Sequence, residues 1–498
     1  MAKNSVKTGS EGALKRQLSP MHVWAIAFGC VIGWGSFINP GKKFLPNSGA
    51  AGTAIAMVLG ALVMIVIAFS YAYMVPKYPK AGGEFTFTKN CFGKTTAFIC
   101  GWFLVAAYLT NVPMNSTAIG LIVDGLDGEA DILKFGFHYE IAGFTIYMGE
   151  MLLAAAILIL FGYLNIIGVK KAGFVQTVLA SLLVLCVFTL FVAALVSAKA
   201  KNINLEPVWG FDKAAVADAM KATESADVTE LAKANAHTGT AGILSAILAT
   251  FAIAPWAYVG FDAIPQAAEE FNFSFRKVSF IMMIAIAFGC FVYTSNNTVA
   301  AAALSNWPER VMAGEWVVLV AAEELLGTFG KVLVGLGVSC AVLSGIMGFY
   351  LAASRLMYSM SRDGYLPKWF GRIDARYGTP KNAMIFCILV SLSGPILGRE
   401  ALGWFVDMCA IGASIGYFFT SAATLITAKR DGDGTRFLKA MAVTGVAFSV
   451  IFMILQLIPI PGLKGVSFGK ESYLMLVIWI ALGAAFYLKE RKSFLGKD

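Results

Sequence analysis

Two short stretches of this 498-residue chain place helix-breaking and polar residues inside otherwise apolar runs. The first is "CVIGWGSFINPG" (30–41), where Gly33 and Gly35 flank Trp34 and Asn39-Pro40-Gly41 follows. The second is "APWAYVGFDAIPQAAEE" (254–270), with Pro255, Gly260 and Asp262. Glycine weakens a helix by roughly 1 kcal/mol relative to alanine, proline removes a backbone donor, and in lipid every freed backbone group needs a new partner. Unwinding over Gly33–Ser36 frees N–H groups at the start of one half-helix and carbonyls at the end of the other. The amide end suits a carboxylate and the carbonyl end suits an ammonium or another cation. Unwinding near Trp256–Asp262 supplies a second such pair. A zwitterion with both groups on one carbon fits that chemistry. The candidate contacts are therefore Ile32, Gly33, Trp34, Gly35 and Ser36 in the first break, and Trp256, Ala257 and Gly260 in the second. A single glycine-rich span could equally serve close helix packing; two breaks at matching places favour a site.

Asp262 is costly, because an acidic side chain at mid-bilayer costs roughly 2.5–3.5 kcal/mol on insertion scales. It can carry a proton, meet a substrate amine, or cap the inner half of the broken helix, and the sequence leaves the three open.

The elements that must position these residues are membrane helices. The chain is 58% hydrophobic and 14% charged, which specifies an all-α polytopic membrane protein. Apolar windows give about twelve spans, near 22–46, 50–76, 97–125, 141–164, 172–197, 241–270, 278–304, 332–360, 382–398, 401–428, 437–459 and 471–488. Lys and Arg concentrate in alternate short loops, which puts both termini, with segments 362–381 and 428–439, on the cytoplasmic side and loop 198–240 outside. The net charge of +9 is spent on these topology signals and forms no basic face for nucleic acid. The polar, basic first twenty residues lack the pattern of a cleavable signal peptide. Eight cysteines without paired spacing, and three histidines (His22, His138, His237) near span ends or in loops, offer no metal site, disulfide framework or catalytic triad.

The broken spans stand first and sixth, five apart. Five is odd, so the second half is expected upside-down relative to the first: two inverted five-helix repeats with discontinuous helices one and six, the sequence pattern of a transporter. The expected division is a cytoplasmic tail (1–21), a first repeat (22–197), an outer loop (198–240), a second repeat (241–428), peripheral helices eleven and twelve (429–488) and a second cytoplasmic tail (489–498).

"VIGWGSF", "PKAGGEFTFTK" (79–89), "WAYVGFDAIPQAAEE" and "AASRLMYSMSRDGYLPKWF" (352–370) together resemble the amino acid–polyamine–organocation transporter superfamily, in particular its bacterial amino acid permeases and cationic amino acid transporter-like members. The resemblance implies ten core helices and two peripheral ones. It assigns Gly33, Gly35 and Ser36 to the unwound segment that receives a substrate carboxylate, Trp256 to an aromatic lid, and Gly260 to the flexible glycine of helix six. Asn111 and Phe349 match pocket positions on helices three and eight. Two departures stand out. Trp34 occupies the place of a small residue between the glycines, so substrate size is not inherited. Leu183 stands where some members carry a lysine that replaces a sodium ion. A sodium site between spans one and eight, with Ser344 as a ligand, competes with proton coupling through Asp262 or uncoupled exchange.

Glu84 and Arg355, with Arg362 and Asp363 nearby, are candidates for a cytoplasmic gate or for fixed loop structure. Glu269 and Glu270 are expected to pair with basic loop residues, and Asp407 and Glu150 to reach interface water or a neighbouring helix. The expected function is a secondary permease in the cytoplasmic membrane that moves amino acids by alternating access, proton-coupled or by exchange, without a cofactor. An amine or polyamine transporter is the alternative. A membrane enzyme lacks a catalytic cluster, a channel lacks a continuous polar stripe, and no nucleotide-binding motif serves primary transport.

Overall fold

The computed structural model describes residues 14–128, 130–141, 144–197, 205–222, 227–398, 401–460 and 466–495. Residues 1–13 of the expected N-terminal tail, 198–204 and 223–226 of the outer loop, and 496–498 of the C-terminal tail lie outside them. Ten helical stretches among the described residues are long and apolar enough to cross a membrane. One of them, Pro20–Lys77, is 58 residues long and holds the first two spans. A shorter apolar helical stretch, Lys381–Leu397, fills the place of the ninth. The chain is a polytopic all-α membrane protein.

The first span breaks where glycine and proline predict. Helix Pro20–Val31 stops at Ile32, whose extended backbone (φ −102°, ψ 92°) ends the hydrogen-bond ladder. A new helix, Gly35–Asn39, follows, and Pro40–Phe44 continues it with π geometry. The nonhelical residues are thus 32–34, starting one position and ending two positions earlier than expected. The sixth span runs Gly239–Phe251, then the single turn Ala254–Ala257, and closes with the 3-10 segment Phe261–Glu270. Gly260 joins the last two at φ 130°, a left-handed conformation that a side chain would strain.

The two breaks lie against each other. A β-carbon on Gly260 would stand 2.4 Å from Cys30 Cβ and 2.7 Å from Val31 N, so only glycine admits this approach. Near the chain's start, the backbone N–H groups of Gln17 and Leu18 both donate to Glu270 O at 2.9 Å, and Asn272 N–H donates to Leu18 O at 3.0 Å. The residues preceding the first span are thereby bound to the end of the sixth. Spans three, eight and ten (Lys94–Asp127, Thr328–Arg362 and Ala401–Arg430) pack around these broken helices and carry many of the buried polar side chains.

The fourth span begins later than expected. His138–Ile141 and Phe144–Tyr147 pair as antiparallel strands, and the helix starts at Met148. Alternating polar and apolar residues in "HYEIAGFTIY" suit a two-residue period, which the hydropathy window averaged into the adjoining helix. The outer loop carries two short helices, Lys213–Ala222 and Val228–Ala234.

Candidate functional site

The C-terminal half of the first span, from Gly35, is fastened at its start. Asn296 Nδ2 on span seven donates to Ser36 O at 3.0 Å, and Trp316 Nε1 donates to Phe37 O at 2.7 Å. Ser36 turns inward on itself, its Oγ donating to Gly33 O at 2.9 Å. The backbone N–H groups of Gly33, Trp34 and Gly35 have no hydrogen-bond partner among the described residues. Gly33 is half-buried and Trp34 and Gly35 are buried; amides in such places are nearly always paired, so three unpaired in a row mark a place where something else can accept from them.

A small cavity adjoins these amides. Its lining includes Gly33 and Trp34 from the first break, Trp256 and Val259 from the second, Asn111 and Asn115 from span three, and Phe349 from span eight. Its empty volume is about 250 Å³, and its centre has room for little more than a water molecule. Two tryptophans close it: the Trp34 and Trp256 rings are 5.9 Å apart at 56°, and both are buried. Three of its polar atoms, Trp34 Nε1, Trp256 Nε1 and Asn115 Oδ1, are buried without a partner. Two donors and one acceptor therefore stand ready beside the free amides.

The sequence-derived residues divide around this cavity. Gly33, Trp34, Asn111, Trp256 and Phe349 line it; Ile32, Gly35, Ser36, Ala257 and Gly260 are buried or packed behind the lining. Asn111 Nδ2 is occupied by Ala107 O at 2.7 Å and Cys409 Sγ at 2.9 Å. Asn115 escaped the sequence reading although it lies one helical turn beyond Asn111, with its Nδ2 donating to Asn111 O at 2.8 Å.

Asp262 lies behind the cavity. Its Oδ1 accepts from Gly260 N–H at 2.7 Å, which ties down the break, and its Oδ2 accepts from Tyr108 Oη at 2.9 Å. Tyr108 Oη also stands 3.3 Å from Glu84 Oε1, which accepts from Tyr71 Oη at 2.7 Å. Gln266 Nε2 lies 2.5 Å from Glu84 Oε2. Glu84 and Asp262 are fully buried, and neither has a salt-bridge partner among the described residues. Burial, reinforced by the nearby Asp262 carboxylate, holds the Glu84 carboxyl above the ordinary carboxylate range.

The charged residues expected near a gate take other partners. Arg355 Nε pairs with Glu270 Oε1 at 3.0 Å, both side chains buried, and Arg362 pairs with Glu269 at 2.8 Å. Asp363 accepts from Lys89 Nζ at 2.7 Å. Spans six and eight are thus bridged by two ion pairs, and Glu84 belongs to the tyrosine network instead. Asp407 accepts from Ser472 Oγ on the last span, and Glu150 lies in the first turn of the fourth.

Between spans one and eight, Ser344 Oγ contacts Gly29 O at 3.3 Å and Ala341 O at 3.0 Å. The amide of Gln176, from span five, donates to Ala25 O at 3.2 Å and Ser344 O at 3.1 Å. A neutral side chain thus bridges carbonyls of the two helices here. Leu183, on the same helix, is buried. No cluster of three or more metal-ligating side chains occurs among the described residues.

Residues 18–482 match the family model described as amino acid permease. The chain is 23% identical over 494 residues to the branched-chain amino acid permease BcaP of Bacillus subtilis (strain 168), covering 96% of this chain and 94% of that one. It is 26% identical over 386 residues to the large neutral amino acids transporter small subunit 2 of Oryctolagus cuniculus, covering 77% of this chain and 65% of that protein's length. A third relative, 25% identical over 377 residues, is the cationic amino acid transporter 3, mitochondrial, of Arabidopsis thaliana, with 75% of this chain and 56% of that one covered.

Proposed function

Since the chain belongs to the amino acid permease family, we propose that it is a secondary transporter that moves neutral amino acids across the cytoplasmic membrane by alternating access, coupled to protons or by exchange, with both termini cytoplasmic. The observation that carries this reading is the row of unpaired amides at Gly33–Gly35 beside a cavity whose own polar atoms lack partners. The amides receive the α-carboxylate, and carbonyls left free by the two breaks receive the α-ammonium. Asn115 Oδ1 is a further acceptor within reach of the ammonium.

The preference for a neutral side chain follows from the lining. No charged side chain lines the cavity, and Asp262 is committed to Gly260 and Tyr108. A cationic side chain would enter without a counter-charge, a costly arrangement at low dielectric. Two of the relatives are named for branched-chain and large neutral amino acids, in keeping with that lining.

Trp256 is the lid on this reading. The cavity enlarges when the two tryptophans part, and the bundle containing the broken spans rocks against the remaining core helices, 22–197 and 241–428 acting as the two inverted repeats. The Arg355–Glu270 and Arg362–Glu269 pairs hold the cytoplasmic end closed. The test is counterflow in proteoliposomes preloaded with leucine. External radiolabelled leucine should accumulate transiently, and unlabelled leucine or valine should compete better than lysine. Absence of counterflow with every neutral amino acid would refute the reading.

A further inference from the structure

Behind the cavity, three oxygen atoms stand in a row: Glu84 Oε1, Tyr108 Oη and Asp262 Oδ2, separated by 3.3 Å and 2.9 Å. Tyr108 has one hydroxyl proton to share between these two carboxylate oxygens; Asp262 O stands 3.2 Å from its Oη, and Gln266 Nε2 donates to it at 3.3 Å. If both carboxylates were ionised, Tyr108 could donate to only one of them, and the other contact would set two oxygen lone pairs against each other. One additional proton turns both contacts into hydrogen bonds. Two like charges bridged by a single oxygen at low dielectric cannot both persist, so paired buried carboxyls hold one proton between them.

The surroundings leave that proton no other owner. Around the pair stand Tyr71 from span two, Cys100 from span three, Tyr417 and Cys409 from span ten, and Cys30 from span one. All are neutral acids in their ordinary state at neutral pH, and none supplies a positive charge. Span eight contributes Arg355, which is engaged by Glu270. The Gln266 amide, also neutral, donates to Glu84 Oε2 at 2.5 Å and to Tyr108 Oη at 3.3 Å.

We infer that Glu84 and Asp262 share a single proton through the Tyr108 hydroxyl, and that this trio is the proton-binding site of the transport cycle. With the proton on Glu84, Glu84 Oε1–H donates to Tyr108 Oη and Tyr108 Oη–H donates to Asp262 Oδ2. When Tyr108 passes its proton to Asp262 and takes the one from Glu84, Asp262 becomes the acid and Glu84 the carboxylate, and no proton is lost or gained. The trio touches the cavity at two points. Asp262 Oδ1 holds Gly260 N–H in the second break, and the Tyr108 ring stacks on Phe349, a lining residue, at 6.4 Å between centroids. Substrate arriving at the break therefore acts on the group that holds the proton.

The transport role rests on the proton-coupled form of the function proposed above, whereas proton sharing does not, and the test separates them. Infrared spectra of the purified protein read the carbonyl stretch of protonated carboxyls without any transport. The wild type should show such a band at neutral pH that is lost in the Glu84→Gln/Asp262→Asn double variant. Its frequency should shift in Tyr108→Phe, which keeps the ring on Phe349 and removes the bridging hydroxyl. A spectrum identical in wild type and double variant would overturn proton sharing. In proteoliposomes, an inward proton gradient should stimulate leucine uptake by the wild type, and Glu84→Gln should lose that stimulation. Stimulation retained in both Glu84→Gln and Asp262→Asn would overturn the transport role. Should a variant fail to fold, the Tyr108→Phe band and its proton stimulation decide the same two points.

Discussion

The edge of the Trp256 indole rests on Gly35: a β-carbon at Gly35 would stand 2.2 Å from Trp256 Cη2. One residue of the first break is thus the seat for the aromatic ring of the second. Gly35→Ala should cut leucine uptake by about tenfold or more, because the rigid ring must be displaced rather than a flexible chain end. Gly33→Ala, whose β-carbon meets only Asn115 Oδ1 at 3.7 Å, should do far less steric harm. The Gly35→Ala/Trp256→Phe pair should recover part of the loss. Additive effects of the two substitutions would refute the seat.

Trp256→Ala removes the lid and its ring contact with Trp34. The apparent affinity for leucine should weaken by about thirtyfold, the effect of losing about 2 kcal/mol from a buried aromatic anchor. The variant should still purify as a monodisperse species, although it gives up the ring's packing against Gly35 and Trp34. Saturation curves from counterflow measure this, and an unchanged half-saturation constant would count against a lid.

Arg355 and Glu270 form an ion pair with both side chains buried. Removing one partner leaves the other charged and alone, at a cost of about 3–5 kcal/mol. Arg355→Gln and Glu270→Gln should each lower the unfolding temperature markedly. The double variant should be less destabilised than the two single losses combined. Thermal unfolding in detergent, followed by intrinsic fluorescence, reads the cycle.

If the backbone amides receive the α-carboxylate as proposed, a substrate needs that group. Leucine should displace a radiolabelled neutral amino acid from the purified protein at concentrations on the order of a hundredfold lower than isoamylamine, its decarboxylated counterpart. A site built to pair a polar group rejects an analogue lacking it by several orders of magnitude when no water substitutes. Equal displacement by the two compounds would make an amine transporter the better description.

The membrane architecture and both helix breaks were legible because each rests on local chemistry: long apolar windows for the spans, glycine and proline for the interruptions. The strand pair His138–Ile141 and Phe144–Tyr147 was not, because its two-residue period is short and abuts an apolar helix. The Glu84–Tyr108–Asp262 row was invisible for another reason. Its members come from three separate segments, and nothing about Tyr108 alone marks it as a bridge. It does lie one turn from Asn111, on the same helix face, and Asn115 lies one turn further. A stripe of Tyr108, Asn111 and Asn115 at helical spacing was the available signal. Gln176 gave none, since a lone glutamine in an apolar helix does not reveal which carbonyls it will meet. The partner of Arg355 was equally hidden, because Glu84 and Glu270 are both acidic and only packing decides between them.

The strand-like tie between Leu18 and Phe271 makes a yoke of two helices far apart in sequence. The first span starts at Pro20 and the sixth ends at Glu270, so the tie joins the start of one directly to the end of the other, while Gly260 lies against Cys30 at the break. The two segments therefore meet at two points along their length. On the alternating-access reading proposed above, a displacement of the second break reaches the N-terminal end of the first span through these contacts rather than through the cavity.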